Sequence, residues 1–318
     1  MGRGDDPGVR VGRVVLGAHR GSRFSRDAGG HRTIPRSDRA AVDVDRGAER
    51  RRRSAVTDPV IIVGGEVVGG EVVATDAVAT LRHLAVERRV GMLNTFAAKG
   101  LFAWNDPAHL GTIGLQERDL ELAGLVDADV VLVGVSASEL AREWLDGVGA
   151  RWTEVTVREL GQSLGVNVEP TPRPPLYGAL ADVCGPLYGS QQSPMNPARA
   201  AADLAGWLPA GGVVAAHYDL AGFWLGRTFP TREVGSVRFG PDAHGVTLHV
   251  VSELDDALIE SGAVVEHWSS DGPALGPGER LDRLAMALRS GRGAVLPLGV
   301  DWSPLAALVA VAGSPLWG

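Results

Sequence analysis

The sequence predicts an α/β fold: a Rossmann-like, doubly wound parallel sheet followed by a second, partial α/β unit. Three observations predict it. Short continuous apolar runs, such as Pro59-Val60-Ile61-Ile62-Val63, stop abruptly at glycines, as strands buried on both faces do. Helical patterns separate these runs, so strand and helix alternate along the chain. At 318 residues, with 45% hydrophobic and 22% charged residues, the chain has the size and composition of ordinary globular protein.

Residues 1–58 stand apart. They are rich in Arg, Gly and Asp and end in Arg50-Arg51-Arg52-Arg53, which reads as a disordered basic leader. From Asp58 the pattern changes. Val60–Val63 is a strand stopping at Gly64-Gly65, and Gly64–Ala74 is a short local duplication. Thr75 or Asp76 caps a helix to Glu87, with Ala77, Leu81, Leu84 and Ala85 on one face. Val90–Leu93 is a second strand, and Glu117–Leu125 a helix. Asp129–Val133 is a third strand, Ala137–Leu145 a helix, and Trp152–Val157 a fourth strand. This makes 59–165 one domain. Gly165–Pro175, proline-rich and polar, is a linker. In the second unit, 176–318, Pro197 opens a helix to Leu208, and Gly212–Ala216 is a strand followed by a loop. Leu248–Val251 and Ala294–Val300 are further strands, with helices at Leu254–Glu260 and Glu279–Arg289.

The bulk numbers exclude several classes. A net charge of −7 gives no footprint for nucleic acid. No run reaches the ~18 apolar residues of a membrane span. The single cysteine, Cys184, excludes an intramolecular disulfide and points to a reducing, cytoplasmic setting. As a thiol it reads as a small packed residue rather than a nucleophile.

The densest stretch is Asn94–Gly114, NTFAAKGLFAWNDPAHLGTIG, which holds the only lysine, Lys99. It follows a strand, so it sits at the carboxyl edge of a parallel sheet, where ligands of such sheets bind. Lys99 reads either as a contact for a phosphate or for FAD, or as a surface lysine at a helix start. His109 reads as a crevice residue or a packed one. Gly111 and Gly114, in a glycine-rich loop, serve either ligand approach or backbone conformation. Gly64-Gly65 beside Glu66 is a poor dinucleotide fingerprint, because the carboxylate repels pyrophosphate. His217 and Asp219 form a candidate acid–base pair. Trp224, Trp268 and Trp302 read as core residues.

With that order in place, residues 59–160 resemble the central domain of thiamine-diphosphate-dependent enzymes of the acetolactate synthase and 2-oxoacid decarboxylase family. The resemblance is carried by Ile61–Gly65, Ala98-Lys99-Gly100, His109-Leu110-Gly111, Gly111–Gly114 and Ala128–Gly134. Residues 176–318 resemble a divergent, partial diphosphate-binding domain, through Pro194–Asn196, Val213–Gly222 and Gly235-Ser236-Val237. The resemblance implies thiamine diphosphate and Mg²⁺ as cofactors, with Val237 propping the cofactor and Lys99, Gly111 and Gly114 as further cofactor contacts. It also implies carboligation or decarboxylation of a 2-oxo acid, and a homo-oligomer.

The sequence departs from the family pattern at its chemistry. The Gly-Asp-Gly metal signature with a following Asn is not found. Its nearest imitation, Ser270-Asp271-Gly272, has no asparagine after it, since the last is Asn196. No segment matches the pyrimidine-binding domain and its activating glutamate. The expectation is a homologue with no catalytic or metal residues of its own, which needs a separate pyrimidine-domain chain for thiamine chemistry. The alternative is a nucleotide- or FAD-binding scaffold built on the central sheet.

Overall fold

A computed structural model describes residues 59–67, 73–167, 169–240 and 245–317. The basic leader, and part of the Gly64–Ala74 duplication, lie outside the described residues. Thr57–Gly318 forms one compact unit.

The chain builds two five-stranded, wholly parallel sheets. The first contains β1 (Val60–Val63), β2 (Met92–Thr95), β3 (His109–Ile113), β4 (Asp129–Val133) and β5 (Arg151–Glu154), in the order β3-β2-β1-β4-β5. The second contains β6 (Val214–Ala216), β7 (Val237–Phe239), β8 (Leu248–Val251), β9 (Val264–Ser269) and β10 (Ala294–Gly299), in the order β10-β9-β8-β6-β7. Both orders reverse direction after their first strands, as doubly wound sheets do. Pro297 is tolerated in β10 because that strand lies at a sheet edge.

Strand periodicity of two explains the packing of the first sheet. Ile61 and Val63 point to one face, with α1 (Val73–Arg88) and α4 (Val157–Ser163) supplying Leu81 and Leu160. Ile62 points to the other, against α2 (Asp119–Leu122), α3 (Arg142–Gly147) and α5 (Pro175–Tyr188), through Leu120, Leu145 and Leu176. The largest core belongs to the second sheet, with α6 (Pro197–Trp207), α7 (Leu220–Thr228), α9 (Pro277–Ser290) and α10 (Leu305–Ala312) contributing Leu204, Phe223, Leu284 and Leu308. Phe96 and Leu115, from the first half of the chain, are members of that same core. The short α8 (Asp256–Glu260) packs Leu258 on a small separate cluster with Val251 and Val265.

The α/β architecture expected from alternation is thus what the chain forms. Individual elements differ. The supposed glycine-rich loop Gly111–Gly114 falls largely within the edge strand β3, with a register irregularity opposite Met92/Leu93 that places Gly111 beside Leu93. The linker gives way at Pro175 to α5, a 14-residue helix interrupted by two glycines and Pro186. The loop after β6 is mostly α7, whose Gly226 lets the helix press onto Leu115: a Cβ there would stand 2.8 Å from Leu115 Cδ2. Strands β7 and β9 were not legible as such. Trp224 and Trp268 are fully buried, as core tryptophans should be.

Candidate functional site

In each sheet the crevice at the reversal of strand order is held by a carboxylate of the chain itself. In the first sheet that point lies between the carboxyl ends of β1 and β4. The turn after β4 carries Glu139, which is buried. Its Oε2 accepts the Gly65 N–H at 2.8 Å and the Thr95 hydroxyl at 2.5 Å, and its Oε1 accepts the Ser136 hydroxyl at 2.8 Å. An anionic ligand at this turn needs the Gly65 donor, and Glu139 already has it. A groove of about 480 Å³ opens beyond the ends of β4 and β5. Its charged lining consists of Glu66, Glu154 and Glu159, which disfavours phosphate further.

In the second sheet the reversal lies between β6 and β8. Asp219, the N-cap of α7, is buried and accepts three backbone N–H groups: Gly222 at 2.8 Å, Ser252 at 2.6 Å and Glu253 at 3.2 Å. A helix N-terminus after the first strand of such a sheet is where an anion would sit, and here a side-chain carboxylate fills it. Neither carboxylate was singled out as a plug in the sequence. The available signal was an acid within six residues of each of these strand ends.

The third feature is Lys99. It follows the turn Phe96–Ala98 at the carboxyl end of β2 and is 6% exposed, not a surface lysine. Burial, and then the Arg227 guanidinium, lower its pKa to about 7. Arg227 has its own partners: Asp119, Gln116 Oε1 at 2.9 Å and the Thr112 carbonyl at 3.0 Å. Cys184 is buried, and burial pushes its pKa up to about 11, so it stays a thiol. His109 is held neutral, at about 3, by burial and by the charges of Lys99 and Arg173. Its Nδ1 is sealed without a hydrogen-bond partner.

The other residues singled out from sequence are scattered. Gly111 lies in β3, 3.6 Å from Leu176 Cδ2 when a Cβ is added, and Gly114 ends that strand's turn beside the Glu139 carbonyl. Val237 opens β7, is 2% exposed and packs into the large core. His217 does not meet Asp219 in a hydrogen bond; its Nε2 lies 3.2 Å from His249 Nδ1. Where the sheets' carboxyl edges approach, Phe96, Tyr218, Phe239 and Trp317 form an edge-on aromatic cluster, with Phe96 and Trp317 centroids 4.4 Å apart.

Comparison with known proteins follows this geometry. No protein-family model matches the chain, and no curated protein does. Among solved structures, it is similar to the X-ray structure of a "putative thiamin diphosphate-dependent enzyme" isolated from Mycobacterium smegmatis. The TM-score is 0.52 at 14% identity, covering 86% of this chain. This chain spans 66% of the length of that one. The likeness is one of fold.

The residues present do not fit Mg²⁺ and a diphosphate. Mg²⁺ beside a diphosphate takes one or two carboxylates together with the phosphate oxygens, and the backbone donors that would receive that diphosphate at the second sheet's crevice are already bonded to Asp219. Ser270-Asp271-Gly272 follows β9, but a Cβ at Gly272 would stand 2.5 Å from the Leu298 backbone, so that turn is pressed onto β10. Among the described residues, no helix is long and apolar enough to cross a membrane.

Proposed function

We propose that this chain is an acetolactate-synthase-like homologue that does not perform thiamine chemistry alone and serves as a binding or assembly subunit. The domains 59–165 and 176–318 correspond, in this reading, to a central and a partial diphosphate-binding domain. The observation that carries it is Asp219: its three N–H bonds consume the donors that a diphosphate would need. A bound diphosphate beside that carboxylate would also meet like-charge repulsion. Residues Lys99, Gly111, Gly114 and Val237 are then relics of cofactor contacts rather than a working set.

Calorimetric titration of the full chain with thiamine diphosphate and Mg²⁺ tests the proposal. No measurable heat is the expected result, and micromolar binding overturns it. If a separate pyrimidine-domain chain completes the site, the mixture should bind the cofactor and turn over a 2-oxo acid where this chain alone does neither. The second reading, an FAD- or nucleotide-binding scaffold, draws support from the buried Lys99 amine, which has no hydrogen-bond partner among the described residues. It is opposed by the Glu139 bond to Gly65 N–H. A melting temperature unmoved by FAD counts against it.

A further inference from the structure

The groove beyond the carboxyl ends of β4 and β5 adjoins the reversal of strand order in the first sheet, where ligands of such sheets bind. Its volume of about 480 Å³ is that of a small-molecule site. The floor is apolar. Val67, Val133 and Val135 are buried there, and Val155, Val157 and Ala77 of α1 are half-buried. An apolar floor of this size holds the body of an organic ligand, and the polar groups at its rim decide which kind.

Those groups are acceptors. The backbone N–H groups around the groove are spent within the fold. Gly64 donates to the Val133 carbonyl at 2.9 Å, Glu66 to Gly134 at 3.1 Å and Val155 to Leu132 at 2.9 Å. Gly65 donates to Glu139, and Thr156 donates to Glu159 Oε2 at 2.8 Å. No lysine or arginine lines the groove, and three carboxylates do: Glu66, Glu154 and Glu159. Glu154 is paired from outside by Arg142, at 2.6 Å. Glu159 bonds the Thr156 N–H and hydroxyl through Oε2, which leaves Oε1 without a protein partner among the described residues. Glu66 makes no hydrogen bond or ion pair among the described residues. Two negative charges therefore remain uncompensated over an apolar floor.

They stand apart from one another. Glu66 follows β1 and Glu159 follows β5, and β4 lies between those strands, so the two rims are two inter-strand spacings apart, about 10 Å. Among the described residues no three His, Cys, Asp or Glu side chains are grouped to hold a metal ion. A point cation would meet one carboxylate at a time, whereas an extended ligand with a charge at each end would meet both. From this geometry we infer that the groove binds a small organic dication, two ammonium or guanidinium ends on a short apolar body, with Glu66 and Glu159 as its end contacts. Its methylenes lie on the valine floor, and each end donates hydrogen bonds that the rim is able only to accept. The inference goes beyond the proposed function and does not rest on it, since neither thiamine diphosphate nor Mg²⁺ enters this groove or its test.

Calorimetric titration of the full chain with cadaverine at pH 7.5 and low ionic strength tests it; both amines of that probe are protonated there. Saturation at one equivalent is the expected result. Pentylamine, with the same body and one charge fewer, should bind at least ~10-fold more weakly, and glutarate should not bind. The double variant Glu66→Gln, Glu159→Gln should weaken cadaverine at least ~10-fold while melting like the parent, because glutamine at that helix position keeps the capping box. Glu66→Gln alone, which removes no bond of the described fold, should weaken it in the same direction. The inference is overturned if cadaverine shows no saturable binding, if the double variant binds it as the parent does, or if glutarate competes with it.

Discussion

Lys99 is a residue whose ordinary chemistry and surroundings disagree, and the disagreement has a measurable cost. Its pKa of about 7 in the fold lies below the ordinary 10.5, with burial as the first cause. Between those values the unfolded chain holds the extra proton, so stability rises with pH across that window. Below about pH 7 the penalty is fully present, and it fades as the pH climbs toward 10.5. Lys99→Met should therefore stabilise the protein by on the order of 4 kcal/mol at neutral pH, less whatever packing the shorter chain loses. Chemical denaturation at pH 6.5 and pH 9.5 checks this. A gap between variant and parent that does not narrow at the higher pH contradicts it. The sequence made Lys99 conspicuous, but not its burial. The two groups whose charge bears on it, Arg227 and Cys184, lie 85 or more positions away in the chain.

At the scale of elements, Asp219 joins the start of α7 to the end of β8. Its carboxylate caps the helix through Gly222 and fixes the turn at Ser252 and Glu253. Removing it leaves buried N–H groups without an acceptor, a loss of about 3 kcal/mol when the cap and charged bonds are taken together. Asp219→Ala should lower the urea midpoint accordingly, with an unchanged slope. A loss below ~1 kcal/mol would mean that water replaces the carboxylate without penalty. The elements that were misread share one cause. Glycine and proline in β3, α5 and α7 look like punctuation in a linear pattern. In the folded chain Gly111 sits at a strand irregularity and Gly226 admits Leu115, so they mark close packing instead. Elements defined by unbroken apolar runs, such as β1 and β4, were legible because two buried faces leave no alternation to interrupt.

At the scale of the molecule, the two sheets are tied by a few contacts of long sequence separation. Arg227 on α7 reaches Asp119, Gln116 and the Thr112 carbonyl, and both charged partners are 1% exposed. The aromatic cluster of Phe96, Tyr218, Phe239 and Trp317 closes the carboxyl edges together. Arg227→Met strands the Asp119 charge in the interior, and breaking such a pair costs about 3–5 kcal/mol. Circular dichroism melting should show a large fall in Tm for this variant. If Arg227→Met melts like the parent, the ion pair does not join the halves energetically. The double variant Arg227→Met, Asp119→Leu should recover part of the loss, since no buried charge is left alone.

The sequence by itself determined the α/β class and the strands that are buried on both faces. Those are properties of local pattern: apolar runs and their spacing. Only the tertiary structure decided that Glu139 and Asp219 fill their own sheets' ligand crevices, and that Lys99 is buried without a hydrogen-bond partner among the described residues. Each depends on which distant groups are brought within a few ångströms. Desolvation and hydrogen-bond competition act through space, and a linear pattern does not record them.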